Sequence, residues 1–184
     1  MAESSADTNL PTALPMLQFK LCMIGCYAVG KTSLVENFVR SIYSDEYHTT
    51  IGVKIDKKIV QLGDQATTCM IWDIAGEDEF YTVKASYLRG MSGYFLVVDG
   101  TRLETISVAQ KIYDRIHPNF PDVPFLVLAN KVDLQPDGFF RENLGESFAD
   151  AVTVLNTSAK TGENVESAFE LLVEQMLVNR SNNV

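Results

Sequence analysis

Short apolar runs alternate with amphipathic helical patterns along the chain from residue 18 onward, and this alternation is typical of a three-layer α/β fold. The run from Phe19 to Ile24 is apolar on both of its alternating faces except at Lys20, so it predicts a buried strand. The run ends at Gly25, and residues 32–40 then follow the period of a helix with one apolar face. The pattern therefore predicts a strand, a loop and a helix in close succession.

The next segments predict an edge hairpin and three further strands. Residues 51–62 alternate between apolar and charged side chains, as expected of an edge strand with one solvated face. A Gly63-Asp64 turn leads into a strand over residues 67–72. Further strands are predicted at 94–98, 123–129 and 151–155, with helices around 106–116, 141–149 and 165–176. Ligands of such sheets bind at the carboxyl ends of the strands, so chemistry is expected in the loops that follow these runs.

Composition and charge narrow the classes of function. The 184 residues suffice for one domain with its own core, and 46% hydrophobic with 21% charged residues is typical of a soluble globular protein. The 15 basic and 24 acidic side chains give a net charge of −9, which disfavours binding to nucleic acid and to anionic lipid. The three cysteines lack the spacing of a zinc site or a disulfide framework, which fits a reducing intracellular compartment.

The two ends of the chain predict tails and no membrane anchor. We expect a flexible N-terminal tail over residues 1–17, a single domain over 18–179 and a short C-terminal tail over 180–184. No stretch reaches the roughly 20 apolar residues of a membrane-spanning helix. Residue 2 is alanine instead of the glycine needed for myristoylation, and the C-terminal residues offer no cysteine for prenylation. These features predict a cytoplasmic location.

Residues 25–32 read GCYAVGKT and match the phosphate-binding pattern G-x-x-x-x-G-K-[ST]. The pattern follows a predicted buried strand and opens a predicted helix, as its mechanism requires. Its backbone N–H groups would surround a β-phosphate, Lys31 would reach the β and γ oxygens, and the Thr32 hydroxyl would ligate Mg²⁺. The alternative is an ordinary glycine turn. The candidate phosphate-binding residues are Gly25, Tyr27, Ala28, Val29, Gly30, Lys31, Thr32 and Ser33.

Residues 73–76, DIAG, follow the predicted strand that ends at Trp72. The Asp73 carboxylate would lie across the site from Thr32 and hold Mg²⁺ through a water, while the Gly76 N–H would face a γ-phosphate. A D-x-x-G quartet also occurs as a simple turn after a strand, which is the alternative interpretation. Its place at a strand end downstream of the phosphate loop favours the metal site.

Two further strand ends carry polar clusters that predict a base-binding site. In the NKVD quartet of residues 130–133, the Asp133 carboxylate can accept the N1–H and the exocyclic amine of guanine, whereas adenine lacks donors at those places. Lys131 would lie along the base, and Asn130 would tie this loop to the phosphate loop. After the last strand, the Ala159 N–H would meet the O6 of guanine. The candidate base-binding residues are Asn130, Lys131, Asp133, Ser158, Ala159 and Lys160.

Four motifs in this order, at successive strand ends, resemble those of the Ras-superfamily small GTPases, and the similarity runs from Phe19 to Val178. The TIGV of residues 50–53 and the WDIAG of residues 72–76 look most like the Rab branch. The resemblance implies a P-loop GTPase domain with a six-stranded, mostly parallel sheet, one antiparallel edge strand and helices on both faces. It also implies binding of GTP or GDP with Mg²⁺.

The resemblance assigns roles to residues that the motifs leave open. Tyr43 would pack against the guanine, Tyr47 would fold over the phosphates, and Thr50 would ligate Mg²⁺ only when a γ-phosphate is present. The implied metal ligands are Thr32, Thr50 and Asp73, and the implied catalytic residues are Lys31, Thr50, Gly76 and Glu77. Residues 43–51 and 74–89 would be the two switches. An effector protein would bind through residues 43–60 and 74–89, and an exchange factor and an activating protein are further implied partners.

Two departures from the family pattern bear on hydrolysis. Glu77 stands where the family has the glutamine that positions the attacking water, and Tyr27 stands where it has glycine or another small residue. An ionised Glu77 would be repelled by the γ-phosphate, which predicts a switch that hydrolyses GTP slowly. A protonated Glu77 could instead position the water. The alternative function is a constitutively GTP-bound adaptor, and a P-loop kinase is disfavoured by the NKVD quartet.

Overall fold

A computed structural model describes residues 17–43, 50–77, 82–134 and 153–182 of the chain. The strands in these ranges are β1 (Leu17–Gly25), β2 (Val53–Leu62), β3 (Gln65–Ile74), β4 (Gly93–Asp99), β5 (Phe125–Asn130) and β6 (Val154–Asn156). The helices are α1 (Lys31–Arg40), α2 (Ala85–Leu88), α3 (Glu104–Ile116) and α4 (Val165–Asn182). Short 3₁₀ turns lie at His117–Asn119 and Val132–Leu134.

The strands form one sheet in the order β2-β3-β1-β4-β5-β6. β2 runs antiparallel to β3, and the other neighbouring strands are parallel. The predicted six-stranded, mostly parallel sheet with one antiparallel edge strand is therefore confirmed. Met23 lies opposite Asp73 and Gly25 lies opposite Val97, so the carboxyl ends of β1, β3 and β4 meet at one edge of the sheet.

Two apolar cores pack on opposite faces of the sheet, because successive residues of a strand point to opposite sides. Met23 of β1 lies in the core that α1 and α4 cover, whereas its neighbour Cys22 lies in the core that α3 covers. In the first core, Phe38 of α1 stacks on Phe169 of α4 with 3.7 Å between ring centroids. This two-sided burial explains why β1 is apolar on both of its alternating faces.

Several predicted elements have shifted ends. β3 begins at Gln65, earlier than predicted, because its ladder with β2 continues to the turn, where Leu62 faces Gln65. β2 begins at Val53, and β5 begins at Phe125 after the turn residues that precede it. The last helix continues to Asn182, past the predicted domain end at residue 179. The short helix α2 was not predicted.

Some predictions concern residues that the structure does not describe. The tail over residues 1–16, the helix around 141–149, Tyr47 and residues 151 and 152 of the last predicted strand lie outside the described ranges, so these stay predictions. Within the described ranges, no helix is both long and apolar enough to cross a membrane.

Candidate functional site

The loop between β1 and α1 is tied closely to the loop after β5. Gly30, with φ of 94°, precedes the first residue of α1, and a Cβ added to it would lie 2.3 Å from Nδ2 of Asn130. Both the left-handed backbone and this close approach require glycine there. The Asn130 amide nitrogen donates to the carbonyl oxygen of Val29 at 2.9 Å. The sequence prediction that Asn130 joins the two loops is thus matched by a direct hydrogen bond.

Lys31 is a buried cation at the start of α1. Its ammonium group donates to the carbonyl oxygens of Gly25 and Cys26 at 3.2 and 2.9 Å. Burial lowers the pKa of Lys31 to about 8, and the nearby Asp73 carboxylate compensates only in part. An anion bound at this loop would supply negative charge that favours the protonated form.

Three predicted metal ligands meet beside this lysine. The Thr32 hydroxyl donates to Oδ2 of Asp73 at 2.6 Å, and the hydroxyl oxygens of Thr32 and Thr50 lie 2.8 Å apart. The Thr50 hydroxyl also lies 3.3 Å from the same carboxylate oxygen. Thus residues from α1, β3 and the segment before β2 converge on one point.

The donor atoms at this point fit Mg²⁺. Asp73 is fully buried, and its Oδ1 atom has no hydrogen-bond partner among the described residues. Burial raises the pKa of Asp73 against the opposing effect of hydrogen bonds from Thr32 and Thr50. A hard divalent cation prefers oxygen ligands and would stabilise the ionised carboxylate. The buried, unpaired oxygen is therefore explained if a cation binds there.

All the predicted base-binding residues except Ser158 border one cavity of about 230 Å³. Ser158 donates from its hydroxyl to Oδ1 of Asp133 at 2.6 Å, and it accepts from the Thr161 N–H at 3.1 Å. This pair orients the carboxylate that the sequence assigns to guanine. The cavity is lined by Gly30, Ser33, Tyr43, Asn130, Lys131, Asp133, Leu134, Ala159 and Lys160.

The Ala159 N–H makes a hydrogen bond within the site, and its contact with guanine stays a prediction. The Ala159 N–H, expected to meet the O6 of guanine, donates to Oδ1 of Asn130 at 3.1 Å. The Asn130 side chain thus joins the loop after β6 to the phosphate loop, because its nitrogen already contacts Val29. The sequence placed both groups at this site but could not show that they bond to each other.

Asp99, at the end of β4, lies beside the site and is not among the residues named from the sequence. Its Oδ2 atom accepts from the Lys131 ammonium at 2.7 Å and from Nε of Arg102 at 2.9 Å. Lys131 also donates to the carbonyl oxygen of Ala28, and Arg102 donates to that of Tyr27. Burial raises the pKa of Asp99, but hydrogen bonds, chiefly from Lys131, outweigh it and leave the pKa lowered. Its position at a carboxyl strand end is the signal that could have found it.

Glu77 lies against the phosphate loop through its backbone. Its N–H donates to the carbonyl oxygen of Gly25 at 3.1 Å, and its carbonyl oxygen accepts from the Tyr27 N–H at 2.9 Å. A Cβ added to Gly76 would lie 2.6 Å from the Cys26 carbonyl oxygen, so the close approach requires glycine.

The Glu77 side chain contacts helix α3 and the segment before α2. Its carboxylate is buried and forms an ion pair with Arg115 of α3. The same oxygen, Oε1, accepts a hydrogen bond from the Val83 N–H at 2.8 Å. Sequence reasoning picked Glu77 by its place after Gly76 but gave no indication of Arg115.

Comparison with known proteins identifies the family. The sequence profile of the Ras family matches residues 20–178. The chain belongs to the Ras family. It is 32% identical over 180 residues to the Ras-related protein Rab-7L1 of Homo sapiens, covering 90% of this chain and 86% of the relative. It is 36% identical over 154 residues to Rab-4B of Rattus norvegicus, covering 82% and 72%, and 35% identical over 165 residues to Rab-10 of Diplobatis ommata, covering 88% and 82%.

Membership of this family confirms the resemblance inferred from the four motifs. Ras-family GTPases in general bind GTP or GDP with Mg²⁺, and they act as GTP-binding switches. In this Ras-family chain, the phosphate loop, the predicted metal ligands and the predicted base-binding residues lie at one edge of the sheet. Tyr47 lies outside the described residues.

Proposed function

We propose that this Ras-family protein is a guanine-nucleotide switch that binds GTP or GDP with Mg²⁺ and hydrolyses GTP slowly. The observation that carries the proposal is the direct contact of Thr50 with Thr32 and Asp73. Thr50 precedes the edge strand β2, whereas Thr32 and Asp73 belong to the phosphate loop helix and β3. A ligand at this point would therefore control the segment that leads into the edge strand.

Thr32, Thr50 and Asp73 would hold Mg²⁺, which neutralises charge on the β- and γ-phosphates when bound. Lys31 would bind the phosphate oxygens with the ammonium group that now donates to Gly25 and Cys26. Loss of the γ-phosphate would release the Thr50 backbone from the site. The two nucleotide states would then present different surfaces around β2.

Guanine selectivity rests on Asp133. Its carboxylate is held by the Ser158 hydroxyl and borders the cavity that Tyr43 and Lys131 also line. Paired acceptors would match the two donors of guanine, whereas adenine would leave the carboxylate without them. A site of this kind rejects the mismatched base by about 10⁴-fold.

The effector surface would include the edge strand beside Thr50. Three apolar side chains there are exposed: Ile51, Ile55 and Ile59 have exposed fractions of 92%, 46% and 51%. Residues 43–60 and 74–89 remain the proposed contact segments for an effector. An exchange factor and an activating protein would act on the same switches.

Slow hydrolysis follows from the charge of Glu77. A carboxylate that approached the γ-phosphate would add negative charge to an anionic centre, and the repulsion would disfavour water positioning. The buried ion pair with Arg115 further supports a Glu77 side chain held elsewhere. The same observation favours the second candidate function, an adaptor that stays GTP-bound because turnover is negligible.

Nucleotide binding and single-turnover hydrolysis test the proposal. We expect GTP and GDP to bind at least about 10³-fold more tightly than ATP, with GTP affinity reduced when EDTA removes Mg²⁺. GDP found in the purified protein favours the cycling switch, whereas GTP that persists through a long single-turnover assay favours the adaptor. Equal affinity for ATP and GTP would contradict both.

A further inference from the structure

An ion pair joins the residue after Gly76 to helix α3. The Glu77 carboxylate has an exposed fraction of 8%, whereas its partner Arg115 is 45% exposed. One carboxylate oxygen accepts from both the Arg115 guanidinium and the Val83 N–H. Glu77 and Arg115 are 38 residues apart in sequence. The carboxylate therefore links α3 to residues 77 and 83 of the second switch.

Both sides of this contact are anchored. The Glu77 backbone bonds to Gly25 and Tyr27 of the phosphate loop in both directions. On the other side, α3 is fixed because Ile112 and Ile116 are almost completely buried in the core that covers one face of the sheet. The ion pair therefore spans two rigid parts of the molecule.

Among the residues that the structure describes, Lys31 and Arg115 are cations that act on Glu77. Lys31 is close enough for its charge to interact with Glu77, but its ammonium group donates to Gly25 and Cys26. Arg115 makes the direct contact with the carboxylate. Since a buried carboxylate without a partner is strongly disfavoured, Arg115 determines where the side chain rests.

We propose that Arg115 is a positioning residue whose ion pair with Glu77 forms a latch, which holds residue 77 against α3 and away from the water that attacks the γ-phosphate. This inference rests on the proposed GTPase function and adds its regulation. The latch must open before residue 77 can take part in hydrolysis. Any partner that engages Arg115 on its exposed side would compete with the latch and free the side chain of residue 77.

The latch predicts coupling between the two side chains. A glutamine at position 77 can still accept from Arg115 and Val83 through its carbonyl oxygen, so Glu77→Gln alone should raise single-turnover hydrolysis by only about threefold. Arg115→Met keeps the apolar stem but removes the donors. It should change the rate by less than about threefold, because the freed carboxylate is still repelled by the phosphate. The double variant should hydrolyse GTP at least about tenfold faster than Glu77→Gln.

Amide hydrogen exchange tests the latch in an assay that does not depend on GTP hydrolysis. In Arg115→Met, the Val83 amide should exchange at least about tenfold faster, since its acceptor loses its cationic partner. Lys111→Met is the matched control: Lys111 is an exposed cation of the same helix, one turn earlier, and its variant should match wild type in both assays.

The outcomes separate the latch from the switch function. A double variant no faster than Glu77→Gln, with unchanged exchange near Val83 and normal GDP binding, would overturn the latch and leave the switch intact. Faster exchange in Arg115→Met with no guanine-nucleotide binding by wild type would support the latch and contradict the switch. Thermal melting of each variant checks that the fold is preserved.

Discussion

The proposed base-binding half of the site, at residues 130–133 and 158–160, and the proposed γ-phosphate half, around Glu77, are built in different ways. In the base half, Asn130 and Lys131 bond directly to the phosphate loop, and Ser158 holds Asp133. In the γ-phosphate half, the side chain of Glu77 bonds instead to Arg115, on a helix that carries none of the four motifs. The first half is organised by contacts among the strand ends, whereas the second depends on the outer layer of the fold.

This difference separates binding from turnover. The hydrogen bonds of the base half join loops at one sheet edge and involve neither Glu77 nor Arg115. The Glu77 contact can be changed without disturbing that edge, because Arg115 is half exposed and lies on the surface of α3. Affinity and hydrolysis rate should therefore respond to different substitutions.

The largest expected effect is a loss of GTP affinity caused by a substitution in the base half. Asp133→Asn replaces one acceptor with a donor, so GTP affinity should fall by roughly 10³- to 10⁴-fold and xanthosine triphosphate should bind better than GTP. Equilibrium titration with both nucleotides measures the exchange of preference. Ser158 can still donate to the carbonyl oxygen of the introduced amide, so the variant is expected to fold. Unchanged affinity for GTP would contradict the assignment of Asp133.

A smaller loss of affinity is expected from a substitution at the proposed metal ligands. Thr32→Asn removes the hydroxyl that contacts both Asp73 and Thr50, so GTP affinity should fall about 10²-fold more than GDP affinity. The reason is that the γ-phosphate needs the cation more than a diphosphate does. Binding assays with Mg²⁺ and with EDTA measure the effect. If the variant keeps a wild-type response to Mg²⁺, Thr32 is not a ligand.

Much of the base half could be predicted from sequence because each motif follows its strand at short range. A strand that ends in NKVD or SAK puts those residues at the carboxyl edge whatever else the fold does. The order of the strands then brings the motifs together. The hydrogen bond between Asn130 and Ala159 was not predictable, because it depends on the exact separation of two loops.

The γ-phosphate half was harder to predict, because Glu77 and Arg115 are distant in sequence and no sequence motif marks their contact. Arg115 lies on the exposed side of an amphipathic helix, where a charged residue usually contacts only water. Nothing in the sequence around Arg115 distinguishes it from Lys111, another cation of the same helix. Asp99 is an intermediate case, since its position at a strand end can be predicted from the sequence but its contacts with Lys131 and Arg102 cannot.

A roughly tenfold loss of nucleotide affinity is expected when Asp99, which stabilises the base half, is replaced. Asp99→Asn weakens the anchor of Lys131 and Arg102, so nucleotide affinity should fall about tenfold. Arg102→Gln is the companion variant, and it should lose less because Lys131 keeps its carboxylate. Nucleotide dissociation rates measure both. Equal losses in the two variants would show that Arg102, and not Lys131, transmits the effect of Asp99.

The same carboxylate predicts a pH dependence of stability. The pKa of Asp99 is lowered in the folded protein, so the unfolded chain binds its proton more readily. The stabilising contribution is therefore present above the unfolded pKa near 4 and is lost as the pH falls through the lower folded pKa. Urea unfolding at several pH values should show a smaller loss of stability on acidification in Asp99→Asn than in wild type.

The smallest expected effect concerns the Tyr27 side chain, at the phosphate-loop side of the γ-phosphate half. Its backbone bonds to Glu77 and Arg102, and the residue is 39% exposed. Tyr27→Ala should therefore change GTP affinity and intrinsic hydrolysis by no more than about threefold. Tyr27→Gly adds backbone freedom to the unfolded chain and to the loop, so any larger loss of affinity in this variant reports loop rigidity. Single-turnover assays and titrations on both variants separate the two causes. A tenfold change in Tyr27→Ala would mean that the ring itself takes part in the site, and that the γ-phosphate half is organised by this side chain as well as by the α3 contact.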